Sequence, residues 1–262
     1  MPSIVTLRPD QVAETLAFWT PKRMAEADAK SDLQSHADTL ETAPPVSRAA
    51  RVAPVPHVGR LYLDNGTTYQ TCSANAVVSA NGATVATAAH CVDDFGSTHQ
   101  HMLFVPAYEA GSRPFGEWPV TAYAIADGWT GKYDAHADTA FLEVASPTGR
   151  TLTDTVGASP VEFGKARSLD TTVYGYPGLP PYDDQYPYLC RGTATPAAFN
   201  DGQSIACSMN EGSSGGPWFD GSDANAPQYS VTTNRSPDSK FLYAPAWGPV
   251  IEAAYDAVQG HR

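Results

Sequence analysis

Gly212-Ser213-Ser214-Gly215-Gly216-Pro217, followed by the apolar pair Trp218-Phe219, is the stretch whose reading decides the fold. Serines between glycines, closed by a proline and running into a strand-like pair, form a tight turn whose backbone amides can converge on one point. Converging amides are how an oxyanion hole is built. A Gly/Ser-rich surface turn has the same composition, so the partners elsewhere in the chain discriminate.

Nucleophilic catalysis by serine needs a base within hydrogen-bond reach and a third group to orient that base. His90 ends the small-residue run Thr87-Ala88-Ala89-His90-Cys91, where a cysteine can pin the turn that carries it. Asp138 opens Asp138-Thr139-Ala140-Phe141-Leu142-Glu143-Val144, so a carboxylate stands where an apolar strand begins and can orient an imidazole. Asp134 competes for that role but lies in the polar run Lys132-Tyr133-Asp134-Ala135-His136. His36, His57, His99, His101, His136 and His261 read as structural. His99 and His101 alternate as strand ligands could, yet no third ligand stands nearby, and no metal is expected.

A chain of 262 residues with 42% hydrophobic content can bury a full core. The net charge of -12 excludes phosphate-backbone recognition, since no cationic surplus exists to displace counterions. No apolar run is long enough to span a bilayer, so neither nucleic acid nor membrane is expected as a partner. Cys72/Cys91 and Cys190/Cys207 fall as two local pairs; of three possible connectivities only local pairing keeps both links short. Two disulfides imply an oxidising, extracytoplasmic compartment. Met1 to Arg8 lacks the apolar core of an export signal, so that signal is expected outside this sequence.

Along the chain, residues 8–37 carry helical rhythm, with Val12, Leu16 and Trp19 on one face and Thr20-Pro21 starting a second helix. The proline-rich run 42–56, containing Arg48 and Arg51, reads as an extended linker open to processing. The expected organisation is a helical extension or pro-segment over 1–41, the linker over 42–56, and a main domain over 57–262. From Val58 short strands follow: Gly59 to Leu63, Asn75 to Val78, Thr84 to Ala88, Met102 to Val105, Ala140 to Val144, Thr172 to Tyr174 and Tyr229 to Thr233. Asn65-Gly66, Asn81-Gly82, Asp127-Gly128 and Asp201-Gly202 punctuate them as hairpins, which predicts an all-β barrel or sandwich. Val250, Ala254 and Val258 predict a C-terminal helix.

The three motifs around His90, Asp138 and Ser214 resemble, in order and composition, those of the chymotrypsin-like (trypsin-like) serine endopeptidases. Val173-Tyr174-Gly175-Tyr176-Pro177-Gly178 is similar to a turn of the secreted bacterial branch that includes the glutamyl endopeptidases. The resemblance covers residues 56 to 250. It implies two antiparallel six-stranded β-barrels with the active site between them, and no cofactor. His90 would be the base, Asp138 its orienting acid, Ser214 the nucleophile, and the Gly212 and Ser214 amides the oxyanion hole. The implied partner is a protein or peptide substrate, and the enzyme is expected to be a secreted monomer.

Two departures stand out. Ser213 replaces the aspartate that in many relatives pairs with a freed N-terminal amine, so that activation switch is not expected. Ser208, six residues before the nucleophile, replaces the buried acid that selects arginine or lysine, and Tyr229 to Asn234 lacks the histidine of the glutamyl branch; a pocket lined by Ser208, Ser230 and Thr232 is expected instead. Two rivals remain. Gly-x-Ser-x-Gly also fits an esterase elbow, but that fold orders its triad Ser, acid, His, and only His261 follows Ser214. A catalytically silent binding module on the same scaffold is the other.

Overall fold

The computed structural model describes residues 2, 4–33, 49–197 and 201–261. His36, Arg48 and the first part of the proline-rich run, 42–48, lie outside the described residues.

The strands Val58–Asp64, Tyr69–Ala76, Thr84–Thr87, Gln100–Pro106, Trp118–Ile125 and Ala140–Val144 hydrogen-bond in an antiparallel ring that closes where Gln100–Pro106 meets Trp118–Ile125. Closure removes the free edges that an open sheet would present. Leu61, Leu63, Ala74, Val85, Phe104, Val120 and Leu142 belong to the core of this first barrel, while Phe141, on the other face of its strand, packs against Trp247 and Tyr255. The second half is built from two antiparallel sheets. One runs Gln228–Val231, Pro217–Asp220, Asp170–Gly175, Tyr188–Thr193 and Ala50–Arg51; the other runs Thr195–Ala197, Gly202–Ala206, Phe241–Ala244 and Asn234–Arg235. They share a core of Val173, Ile205, Met209, Trp218, Tyr229 and Leu242. The architecture is thus the all-β double barrel that the resemblance implied, with the second barrel formed from two sheets rather than one continuous ring.

Several strands carried no clear alternation in the sequence. Trp118–Ile125 and Pro217–Asp220 are buried on both faces, which erases the period-two signal. The C-terminal helix spans Pro249–Gln259, but its buried face is Ile251, Ala254, Tyr255 and Val258, while Val250 is half exposed. Ile251, Ala254, Tyr255 and Val258 follow the i, i+3, i+4, i+7 spacing of one helical face, and Val250 stands one residue's rotation off it.

Cys72 is joined to Cys91 and Cys190 to Cys207. Each closes a loop of under twenty residues and stabilises by about 3 kcal/mol through the unfolded chain.

The N-terminal segment is planted on the first barrel. Ile4–Thr6 adds a strand to the edge of Trp118–Ile125. Two helices follow, Pro9–Phe18 and Pro21–Leu33, with the Thr20 hydroxyl accepting from the Arg23 amide as an N-cap. Leu16 is exposed, contrary to the expected apolar face; the anchor is Trp19, just beyond the helix, whose ring packs on Tyr62 and Tyr69 and whose Nε1 donates to the His101 carbonyl. Asp28 accepts from Arg60 at 2.9 Å and from the Tyr108 hydroxyl at 3.1 Å. Arg60, with no exposed side-chain surface, also donates to the buried Asp184 at 2.7 Å. A buried guanidinium with two carboxylates is tolerable where one alone would leave charge unpaired.

Candidate active site

The strand Thr84–Thr87 leads into a single 3-10 turn, Ala89–Cys91, that carries His90. The Cys72–Cys91 bridge ties this turn to the neighbouring strand Tyr69–Ala76. Another 3-10 turn, Ala135–Ala137, is capped by the Asp134 side chain, which accepts from the His136 amide, and it delivers Asp138 at the start of Ala140–Val144. Asp138 is 5% exposed and grips His90 twice: one oxygen accepts from the His90 backbone amide at 3.0 Å, the other lies 2.9 Å from Nδ1. Backbone and ring are thereby fixed together. Of the two competing acids, Asp138 reaches the histidine and Asp134 serves the turn.

Burial opposes a charge on His90, but the carboxylate of Asp138 beside it, its hydrogen bond, and the charge of Asp94 outweigh burial and hold its pKa above the ordinary histidine value. The Cys72 and Cys91 sulfurs lie within 4.8 Å of a His90 nitrogen, a cluster with metal-ligand composition. Both sulfurs are committed to the disulfide and offer no thiolate to an ion.

On the opposite wall Ser214 is partly exposed, whereas Ser213 is 2% exposed and its hydroxyl donates to the Asn210 carbonyl at 2.5 Å. The two adjacent serines are therefore sorted: both border the cleft, but the hydroxyl of Ser213 is consumed inside its own turn, while Ser214 is the more open of the two. Among the described residues neither the Gly212 nor the Ser214 amide donates to a protein acceptor, while the amides of Ser213, Gly215 and Gly216 all do. Because a trans peptide points its C=O and N–H in opposite directions, the pinned carbonyls explain this. The Glu211 carbonyl accepts from Gly178 at 2.7 Å and the Ser213 carbonyl from Gly216 at 2.9 Å, which turns the Gly212 and Ser214 N–H groups the other way. Gly212 sits at φ +88°, and a Cβ there would stand 2.5 Å from the Tyr176 carbonyl oxygen. Only glycine fits both the dihedral and the space.

His90, Asp138, Ser213 and Ser214 line one cleft of about 430 Å³. Its far side is aromatic, from Phe95, Trp129 and Tyr133. Its other wall runs from Thr232 to Arg235 and includes Leu242, with Arg235 paired to Glu211 at 2.7 Å. Ser214 Oγ bonds to no protein group among the described residues, so the contact with His90 that proton transfer requires is not made in this conformation; such contacts commonly tighten with substrate.

The expected pocket residues divide. Thr232 lines the cleft. Ser208 does not: its hydroxyl accepts from the Ala49 amide and pairs with the Tyr182 hydroxyl at 2.7 Å. Ser230 is fully buried and donates to the Pro245 carbonyl at 2.6 Å. The strand Gln228–Val231 is buried on both faces, so its alternation could not reveal which residue meets the cleft. His261, the base an esterase would need, pairs with Glu143 at 2.5 Å on the outside of the first barrel and is no part of the cleft. The aromatic wall and Asn210 were missed in the sequence; the spacing of Phe95, Trp129 and Tyr133 gives no periodic signal because all three stand on loops.

The family model described as a trypsin-like peptidase domain matches residues 72–225. Among solved structures, the chain is 36% identical to the protease Anisep from Arthrobacter nicotinovorans over 81% of this chain and 100% of that one, with a TM-score of 0.78. It is 33% identical to a thermostable serine protease, AL20, from an extremophilic microorganism, over 79% and 99% of the two chains, with a TM-score of 0.76. A Glu endopeptidase shares the fold at 16% identity, covering 81% and 97%, with a TM-score of 0.64. Among curated proteins none matches. The chain belongs to the trypsin-like peptidase family and is a serine-type peptidase.

Proposed function

We propose that the protein is a secreted endopeptidase that cleaves peptide bonds through a Ser214–His90–Asp138 triad and an acyl-enzyme. The observation that carries this reading is the doubly held His90–Asp138 pair sharing one cleft with Ser214 and two undonated amides. Ser214 Oγ attacks the scissile carbonyl while His90 Nε2 takes its proton; the proton then passes to the leaving amine, and water repeats the sequence to release the acid product. Asp138 keeps the Nδ1 proton in place, so that Nε2 is the basic nitrogen, and stabilises the imidazolium that forms. The Gly212 and Ser214 amides meet the charge that develops on the carbonyl oxygen.

The specificity wall of Thr232, Thr233 and Leu242 carries no free carboxylate, and its one cation, Arg235, is neutralised by Glu211. A neutral side chain suits it better than lysine or arginine. Two disulfides support extracellular residence. Within the described residues no helix is long and apolar enough to cross a membrane. The division at 41 and 57 is proposed as the processing boundary: Ala50–Arg51 forms an exposed edge strand on Tyr188–Thr193, a segment that an external protease can reach. None of the described residues before 49 lines the cleft, and those of the extension pack on the first barrel, which supports reading that part as a clamp; a monomer is the oligomeric state proposed for the processed enzyme. Cleavage-site profiling on a peptide library, with the full chain and with residues 1–41 removed, tests all of this. Endoproteolytic cuts after neutral residues by the full chain, abolished in Ser214→Ala, are expected; cuts only after lysine or arginine, or activity appearing only on removal of 1–41, contradict it.

A further inference from the structure

The two amides assigned to the oxyanion hole belong to the peptides 211–212 and 213–214, and the peptide between them, 212–213, sets their relative orientation. That middle peptide is held at both ends. Its N–H, from Ser213, donates to the Asn210 carbonyl at 3.1 Å. Its C=O, from Gly212, accepts from the hydroxyl of Ser73 at 2.8 Å, across the interface from the first barrel. Ser73 is fully buried, and two of its polar atoms make three hydrogen bonds to the nucleophile loop or its support: the hydroxyl also accepts from the Tyr176 amide at 2.9 Å, and the backbone N–H donates to the Ser214 carbonyl at 2.7 Å. Ser73 adjoins Cys72, whose bridge to Cys91 fixes the His90 turn. One residue thus references the nucleophile loop to the element that carries the base.

Among the described residues no ion pair is made at position 213; the charged pair nearest the loop, Glu211–Arg235 at 2.7 Å, lies at its exposed margin. Ser213 stands where an aspartate would form an ion pair, and its hydroxyl is spent on Asn210. Gly212, at φ +88°, has no side chain to resist rotation of the peptide that follows it. We propose that the Ser73 hydroxyl is the positioning group that locks the 212–213 peptide and so keeps the oxyanion donors aligned, in the role that an ion pair to the residue at 213 would otherwise fill. The proposal rests on the protease reading. Without the hydroxyl, the Gly212 carbonyl and the Tyr176 amide both lose a buried partner, and the middle peptide is free to turn.

The experiment compares the full chain with Ser73→Ala, and with Ser73→Gly as a variant that cannot clash. Three readouts are taken: kcat and KM on a peptide amide that the parent cleaves, inhibition by the matching peptide boronate, and hydrogen exchange at the Tyr176 amide. Folded variants should lose about tenfold in kcat with little change in KM, less than the hundredfold or more that follows loss of an oxyanion donor itself. Boronate affinity should fall by a similar factor, and Tyr176 should exchange faster. Ser73→Thr, which keeps the hydroxyl, should recover most of the loss in kcat. A folded Ala or Gly variant with parental kcat and boronate affinity overturns the proposal, as does a loss confined to KM. Unchanged exchange at Tyr176 overturns it even if the parent hydrolyses nothing, an outcome that would separately defeat the protease reading.

Discussion

The two sides of the cleft are held by different kinds of force. On the base side a disulfide, a buried carboxylate and an imidazole fix the geometry: Cys72–Cys91 pins the turn, and Asp138 binds His90 by ring and backbone. On the nucleophile side the bonds that hold peptides 211–212 to 213–214 are neutral, carbonyl to amide or hydroxyl, with the Glu211–Arg235 pair outside them, and the space is so close that glycine is obligatory at 212. The difference teaches that pH should act on one side through the charge of His90, whereas the other should respond to steric and hydrogen-bond changes and hardly to pH.

The largest expected effect attacks both sides at once: Ser214→Ala should lower kcat by about a millionfold, to background, as measured by release of a peptide fluorophore. On the base side alone, Asp138→Asn should cost about ten-thousandfold in kcat while the fold survives, because the amide favours the wrong imidazole tautomer. On the nucleophile side, Gly212→Ala should cost about a hundredfold or more with His90 undisturbed, since the added methyl displaces the loop from the Tyr176 carbonyl. A loss in which the His90 Nδ1 proton resonance also vanished would break the comparison, because it would mean that the two sides are not separately held.

The pH dependence sharpens it further. The pKa of His90 is raised, so neutral imidazole, the form that acts as base, appears only above the ordinary value of about 6.5. The acid limb of kcat/KM should therefore lie above that pH and activity should climb through it. Stability runs the other way: the ion pair's contribution is fully present below the unfolded histidine's pKa and is lost as pH rises through the folded one. A pH titration of activity beside thermal unfolding over the same range checks both signs. The smallest effect lies remote from the cleft. Asp28→Ala should leave kcat unchanged and destabilise by roughly 2 kcal/mol, since Arg60 keeps Asp184, and urea unfolding measures it.

How much of this was legible in the sequence follows the same division. Chemistry was legible: His90, Asp138 and Ser214 each sit in a local run whose small, glycine or apolar neighbours betray a constrained backbone. Specificity was not. Ser208 was placed by counting back from the nucleophile, yet its hydroxyl is drawn off by Tyr182 and the Ala49 amide, partners distant in sequence. Ser230 was placed by its position on the strand after the nucleophile, and alternation cannot say which way it points where both faces are buried. The all-β character of the first half was legible in its turn signals, but the strand order, the edge strand Ile4–Thr6 and the Trp19 anchor depend on tertiary contacts that no window of sequence contains. Ser73 belongs to no motif that the sequence displays. Its importance rests on bonds to residues more than a hundred positions away.

The central claim is that Ser214, and not the serine beside it, is activated in a formed oxyanion site. Mass spectrometry of the folded full chain after exposure to a fluorophosphonate tests it most directly. The account predicts one adduct, on Ser214, absent in Ser214→Ala and in protein unfolded before labelling; no adduct on folded parent chain, or an adduct on Ser213, would contradict it.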